Sequence, residues 1–309
     1  MIKRFSIKKI SKYTVLLIVV FLFYLFPKKE EYALATPVNK QINAKFHDIF
    51  LIDKNNYLSK TIIQVNAKNN NKLVEELIEI MIKDGKYQDK IPNGFQAILP
   101  PNTRLLDKQI NENVLVLNFN NDLLDTSKEM EEKIIESIIY TMTSIKGIDI
   151  VNINIEGNPL TKLKKSNILL EKNLKRDFGI NKIYDITDLK DVTKIIIYYT
   201  SKTNNDYTYY IPVTKYINTN KDKIKIIIDE LTSKISYESN LMSYLNANAK
   251  LLDYSLNDDE IDLNFNEYLF DNDKDQKVLE EVIYSISYSI EDNLNINKVN
   301  FYVNNKEIK

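Results

Sequence analysis

The chain has 309 residues, is 44% hydrophobic and 28% charged, and carries Lys+Arg 42 against Asp+Glu 43 for a formal charge of -1. That length suits about two packed domains of roughly 150 residues each, and the balanced charge leaves no global basic field for nucleic acid. With no cysteine, no tryptophan and one histidine, His47, the chain cannot form disulfides, thiolate zinc sites or a lipid-modified N-terminal cysteine, and it lacks the imidazoles that most hydrolase triads and catalytic zinc sites use.

Lys3, Arg4, Lys8, Lys9 and Lys12 precede the uncharged run Tyr13 to Phe26, YTVLLIVVFLFYLF, and Lys28, Lys29, Glu30 and Glu31 follow it. The run is short against the ~20 residues of a spanning helix. Lys12 and Lys28 can snorkel to extend it, and the basic side stays in the cytoplasm. The expectation is a single-pass anchor over residues 1–35 with everything after it exported. The A-x-A form of Ala33-Leu34-Ala35 keeps a cleaved signal peptide open as the other reading.

A first domain is expected over residues 45–159. Phe46 to Ile52 and Tyr57 to Val65 read as strands around Asp53-Lys54-Asn55-Asn56. Leu73, Leu77, Ile80 and Met81 then fall at helical spacing after the caps Asn69 to Asn71. Pro100-Pro101 leads into Leu105 to Ile110 and Val114 to Phe119, where Leu115, Leu117 and Phe119 share one face. Ile134, Ile138, Met142 and Ile145 make a second helical stripe, and Val151, Ile153 and Ile155 a last strand. The order ββαββαβ predicts an α+β fold in which a small sheet packs against two helices.

Residues 160–192 are a lysine-rich connector, expected to be a solvated linker along one domain. A second domain, 193–309, repeats the order. Thr193 to Tyr199 pairs with Tyr207 to Thr214, whose Pro212 suits an edge strand. Ile224, Ile227, Ile228, Leu231 and Ile235 repeat the first helix, and Val278, Val282, Ile286 and Ile290 the second. The duplication is plainest where Leu105 to Asp125, LLDKQINENVLVLNFNNDLLD, returns as Leu251 to Asp271, LLDYSLNDDEIDLNFNEYLFD. A repeat this long marks two copies of a domain.

The copies differ at one face. Val114 and Val116 become Glu260 and Asp262 in the second copy. These two valines are the candidate interaction surface, a face of the first copy expected to be covered by the other copy or by a partner. No catalytic, cofactor or metal site is expected. Asp271-Asn272-Asp273-Lys274-Asp275 opens like a calcium loop, but Gln276 stands where glycine is needed and Val282 where a bidentate glutamate belongs, so a helix cap is the better reading. Asp258, Asp259, Glu260 and Asp262 read as a solvated hairpin tip, and His47 as a surface or half-buried residue. Tyr198, Tyr199, Tyr207, Tyr209, Tyr210 and Tyr216 suit strands first and sugar stacking second.

ILPPNTRLLDKQINENVLVLNFNNDLL, the strand ending Glu156-Gly157-Asn158-Pro159, and IIIYYTSKTNNDYTYYIPVTKYI with its following hairpin resemble two GerMN domains. Arg176 with Gly179-Ile180-Asn181 resembles that family's interdomain segment. The resemblance to tandem-GerMN, GerM-like proteins implies a non-enzymatic role in sporulation and germination between the two membranes around the forespore. There such proteins help assemble or stabilise a mother cell–forespore channel, with domains similar to ring-building modules. It implies other sporulation membrane proteins as partners and a homo-oligomer or ring as a further arrangement. The second copy lacks the Pro-Pro entry and the Gly-Pro turn. The competing reading is a peptidoglycan-binding module, which the tyrosines and connector lysines suggest.

Overall fold

The computed structural model describes residues 45–233, 240–270 and 277–308. The apolar run Tyr13–Phe26, Ile235 and the acidic loop Asp271–Asp275 lie outside them. Among the described residues, no helix is long and apolar enough to cross a membrane.

In the first copy, β1 (Lys45–Asp53) and β2 (Leu58–Val65) form a hairpin, with β3 (Phe95–Gln96) against the end of β1. Helix α1 (Asn70–Met81) is capped as expected: the Asn69 side chain accepts from the Lys72 N–H. Next come β4 (Leu105–Asn111), β5 (Val114–Phe119), helix α2 (Lys128–Met142), β6 (Ile150–Ile155) and β7 (Asn158–Pro159). A short connector strand, β8 (Ile183–Asp185), follows. The second copy repeats the series as β9 (Val192–Lys202), β10 (Thr208–Asn218), α3 (Lys223–Thr232), β11 (Leu251–Asn257), β12 (Glu260–Phe265), α4 (Glu280–Leu294), β13 (Lys298–Val303) and β14 (Lys306–Glu307).

The strands do not make one sheet per copy, as the sequence suggests. Each copy keeps a small sheet of its own, β4-β5-β6-β7 and β11-β12-β13-β14. The first hairpins of both copies, with β3 and β8, build a third sheet that they share. Each small sheet carries the alternation read from the repeat, so Leu115, Leu117 and Phe119, like Ile261, Leu263 and Phe265, are buried. A β-bulge interrupts both hairpins within the L-L-D triplet, between Leu105 and Asp107 and between Leu251 and Asp253.

In the shared sheet β2 meets β10 antiparallel at Lys60 and Tyr210. Two hairpins joined through their second strands are related by an approximate twofold axis normal to the sheet. Each long helix of the second type then borders the first strand of its own copy. Phe50 N–H donates to Thr141 Oγ1 at 3.0 Å, and Ser137 Oγ donates to Phe50 O at 2.6 Å. At the equivalent place Tyr198 N–H donates to Ser289 Oγ at 2.8 Å, while Asn293 meets both backbone groups of Ile196. These side chains satisfy strand-edge groups that would otherwise invite another chain.

Pro212 corrects a further expectation. It lies in β10, which is flanked by β9, β2 and β8 and is not an edge strand. Pro212 is nevertheless tolerated, because it sits where β2 has left β10 and β8 has not yet joined. Its carbonyl there takes a side-chain amide from Asn181 at 2.8 Å. The missing N–H therefore removes no ladder bond.

Candidate functional site: the junction between the copies

The connector is not a linker lying along one copy. Leu163, Leu170, Leu174 and Ile180 are buried while Lys162, Lys164, Lys165, Lys172 and Lys175 are exposed. The chain therefore threads its apolar residues into the body and leaves most lysines in water. Between Arg176 and Asp185 it runs from α2 to β10. Gly179, at φ 87°, makes this passage possible: a Cβ there would meet the Thr214 side chain at 3.1–3.2 Å.

Asn181 fills the gap between β2 and β10. Leu58 N–H donates to its Oδ1 at 2.9 Å, its Nδ2 donates to Leu58 O at 2.8 Å, and its own N–H donates to Glu136 at 3.0 Å. Lys182 Nζ then reaches Glu132 at 2.6 Å and Glu136 at 3.1 Å. Burial pushes the Glu136 carboxyl above its usual range despite the pull of Lys182.

Arg176 locks the copies. Its Nη1 donates to both carboxylate oxygens of Asp292 on α4, at 2.7 and 2.8 Å, and its Nη2 to Ser144 Oγ on the turn after α2, at 2.8 Å. Its guanidinium stands 4.8 Å from the Tyr140 ring centre and 5.7 Å from that of Phe50. Tyr140 OH donates to Arg176 O at 3.0 Å, and Tyr198 OH to Asp292 Oδ2 at 2.6 Å. Burial opposes the charge on Arg176, but Asp292 first and then the two tyrosines raise its pKa, while burial drives both phenols well above their usual value. Lys60 pairs with Asp48 of its own hairpin at 3.1 Å and, across the junction, lies 3.8 Å from the Tyr288 ring centre. A cleft of about 800 Å³ opens here, bordered by Lys60, Arg176, Tyr198, Tyr288, Glu291 and Asp292.

The residues singled out in the sequence do not converge. Val114 and Val116 are half-buried on the face of β5 opposite Leu115 and Leu117, beside Ile150 and Asn152 of β6. In the second copy Glu260 holds Lys298 at 2.8 Å and Asp262 accepts from Asn300 at 2.8 Å, so the acidic tip is tied down in pairs. His47 is half-buried in β1, where burial and then Lys45 lower its pKa against Asp48. Tyr198, Tyr199 and Tyr209 are buried and serve the fold: Tyr199 donates to Glu230 at 3.1 Å and Tyr209 to Asp53 at 2.8 Å. Tyr216 stacks on Tyr184 at 4.8 Å, and Tyr184 stays exposed. Among the described residues, no group of three or more acidic or histidine side chains could hold a metal ion. Asp292, Tyr140 and Lys60 escaped the sequence reading, since each sits on an ordinary helix or strand. Arg176 carried a signal, as an arginine in a chain whose basic residues are nearly all lysine.

Two equivalent α+β copies fused through a shared sheet define a tandem-domain protein. The Germane family, described as sporulation and spore germination, matches residues 48–161 and again 196–309. The chain belongs to this family. It is 29% identical over 264 residues to the spore germination protein GerM of Bacillus subtilis (strain 168), covering 84% of this chain and 71% of that protein. Its fold is similar to the solved tandem GerMN domains of the sporulation protein GerM from Bacillus subtilis. That match has a TM-score of 0.78 at 27% identity, over 85% of this chain and 92% of the other.

Proposed function

We propose that the protein is a non-enzymatic, membrane-anchored scaffold outside the cytoplasm, which helps assemble or stabilise the mother cell–forespore channel complex and so affects germination. The observation that carries this reading is the junction. A shared sheet, a connector that fills it and the Arg176–Asp292 pair hold two domain copies in one fixed relation. Rigid presentation of two surfaces suits holding other proteins. The converging charges of the junction neutralise one another, an arrangement that serves architecture. The basic N-terminus and the run Tyr13–Phe26 support a single-pass anchor with both copies exported, which in a sporulating cell places them in the intermembrane space. Its partners on this reading are the membrane, other sporulation membrane proteins and further copies of itself.

The test is deletion of the gene, with complementation by the full chain and by a form whose residues 1–35 are replaced by a cleaved signal. The full chain restores engulfed-spore morphology and germination, and the released form does not. Normal spores after deletion would contradict the sporulation role, and full rescue by the released form the anchor. A second reading, binding to peptidoglycan, is favoured by the exposed Tyr184 stacked on Tyr216. Saturable, salt-resistant retention of the protein on purified peptidoglycan supports it, and loss of retention in Tyr184→Ala assigns it to that stack.

A further inference from the structure

The approximate twofold axis between β2 and β10 makes a specific demand. Every groove on the first copy has a counterpart on the second. The connector fills one such groove, bounded by α2, the start of β2 and the end of β10. Its counterpart is bounded by α4, the end of β2 and the start of β10.

The matched spans 48–161 and 196–309 put Glu132, Glu136 and Tyr140 of α2 opposite Glu280, Tyr284 and Tyr288 of α4. On α2 this trio holds the connector. Tyr140 takes the Arg176 guanidinium over its ring, Glu132 and Glu136 take Lys182, and Glu136 also takes the Asn181 N–H. On α4 the ring of Tyr288 has a cation too, Lys60 from β2. Glu280 makes no ion pair among the described residues, and Tyr284 is 43% exposed.

The rest of the counterpart groove is equally open. Ile62 on β2 is 49% exposed and Tyr207 before β10 is 55% exposed. Tyr284 lies 5.9 Å from Tyr210 and 5.7 Å from Tyr288, so an aromatic wall lines one side. Strand geometry adds a second feature. Leu58 N–H and C=O point toward β10, where Asn181 meets them. By the alternation of a strand, the backbone groups of Ile62 and Gln64 point the same way. Beyond Lys60, β2 pairs with no further residue of β10. Among the described residues the groove thus offers a short open strand edge, an aromatic wall and a carboxylate, the set that the filled groove uses on the connector.

We propose that the groove between α4 and the end of β2 binds an extended basic segment of a partner protein, in the manner in which α2 and β10 bind the connector. The segment pairs with the β2 edge at Ile62 and Gln64. It lays an arginine or lysine side chain over Tyr284 and sets a second cation against Glu280. Asp48 is already paired with Lys60, but Glu280 and Glu281, the latter beside Thr208 at the start of β10, favour a basic occupant over an acidic one. The inference extends the scaffold reading by naming the chemistry of one segment it holds. Binding measured in solution leaves the membrane location and the role in sporulation aside, so the two can fail separately.

The probe is the protein's own groove-filling sequence, residues 174–184 (LKRDFGINKIY), as a fluorescein-labelled peptide. It is titrated with the detergent-solubilised full chain and followed by anisotropy. Saturable one-site binding is expected, weakened at least tenfold by Tyr284→Ala, by Glu280→Lys and by Ile62→Asp, all at exposed positions. A peptide with Arg176 and Lys182 replaced by alanine should not bind. Absence of binding by the unaltered chain overturns the proposal. So does binding that survives all three substitutions and falls instead with Glu132→Gln, since the peptide would then be displacing the resident connector. Sedimentation of the chain with and without peptide closes the test. A dimer dissolved by the peptide makes the occupant a second copy and overturns the assignment to a partner.

Discussion

Asn181 stands opposite Leu58 as though it were a strand residue: its side-chain amide accepts from the Leu58 N–H at 2.9 Å and donates to the Leu58 carbonyl at 2.8 Å. The same amide reaches Pro212 O at 2.8 Å. One side chain from the connector therefore joins a strand of the first copy to a strand of the second, in a buried position. Asn181→Leu keeps the volume and leaves buried backbone groups unpaired. At about 1–3 kcal/mol for a buried group left unsatisfied, it should destabilise the protein by roughly 2–4 kcal/mol in urea unfolding. A change below about 0.5 kcal/mol, the range of ordinary surface substitutions, would show that the amide is not structural.

Arg176 and Asp292 form the other cross-copy tie. Removing one member of such a partly buried pair strands a charge, which costs about 3–5 kcal/mol in comparable sites. Arg176→Met and Asp292→Leu should each be strongly destabilising, and the double variant less so than their sum. Additive losses in the double-mutant cycle would mean the two do not act as a pair.

Glu291 gives a pH dependence. Burial raises its carboxyl pKa, opposed by Lys60 and reinforced by Asp292 and Asp48. A folded-state pKa above the unfolded value means that the contribution of the neutral, protonated carboxyl is fully present below about pH 4.3 and is lost as pH rises through the folded value. Glu291→Gln removes that loss. The variant should gain stability relative to the unaltered protein between pH 4 and pH 7, read from unfolding midpoints at each pH. A difference that is flat, or that falls with pH, would contradict the assignment.

Val114→Asp with Val116→Asp tests the face set aside for a partner. The second copy shows how the fold accepts acids here, with Asp262 taking Asn300 and Glu260 taking Lys298. Asn152 sits beside Val116 as Asn300 sits beside Asp262. The double variant should fold with little loss of stability and should weaken assembly with partner proteins in co-purification. Undiminished assembly would remove this face from the account.

The hairpins, their alternation and the helical stripes were legible because period and turn chemistry are local. The burial of Leu115, Leu117 and Phe119, and of their counterparts in the second copy, follows from alternation alone. The shared sheet was not legible. It depends on one register between distant strands, Lys60 with Tyr210, and no period in either strand encodes it. Pro212 read as an edge residue for the same reason: the gap that accommodates it is made by Asn181, more than thirty positions earlier in a segment with no regular pattern. The junction residues were half visible. Arg176 and Asn181 stood out through the resemblance, while Asp292, on an amphipathic helix, looked like any solvated acid.

The central claim is that the two copies form one body and not two beads on a linker. Scanning calorimetry of the full chain tests it most directly. Because the sheet, the connector and the Arg176–Asp292 pair span both copies, one cooperative transition is expected, with calorimetric and van't Hoff enthalpies equal. Arg176→Met combined with Asn181→Leu should split it in two. Two separable transitions in the unaltered protein would contradict the account.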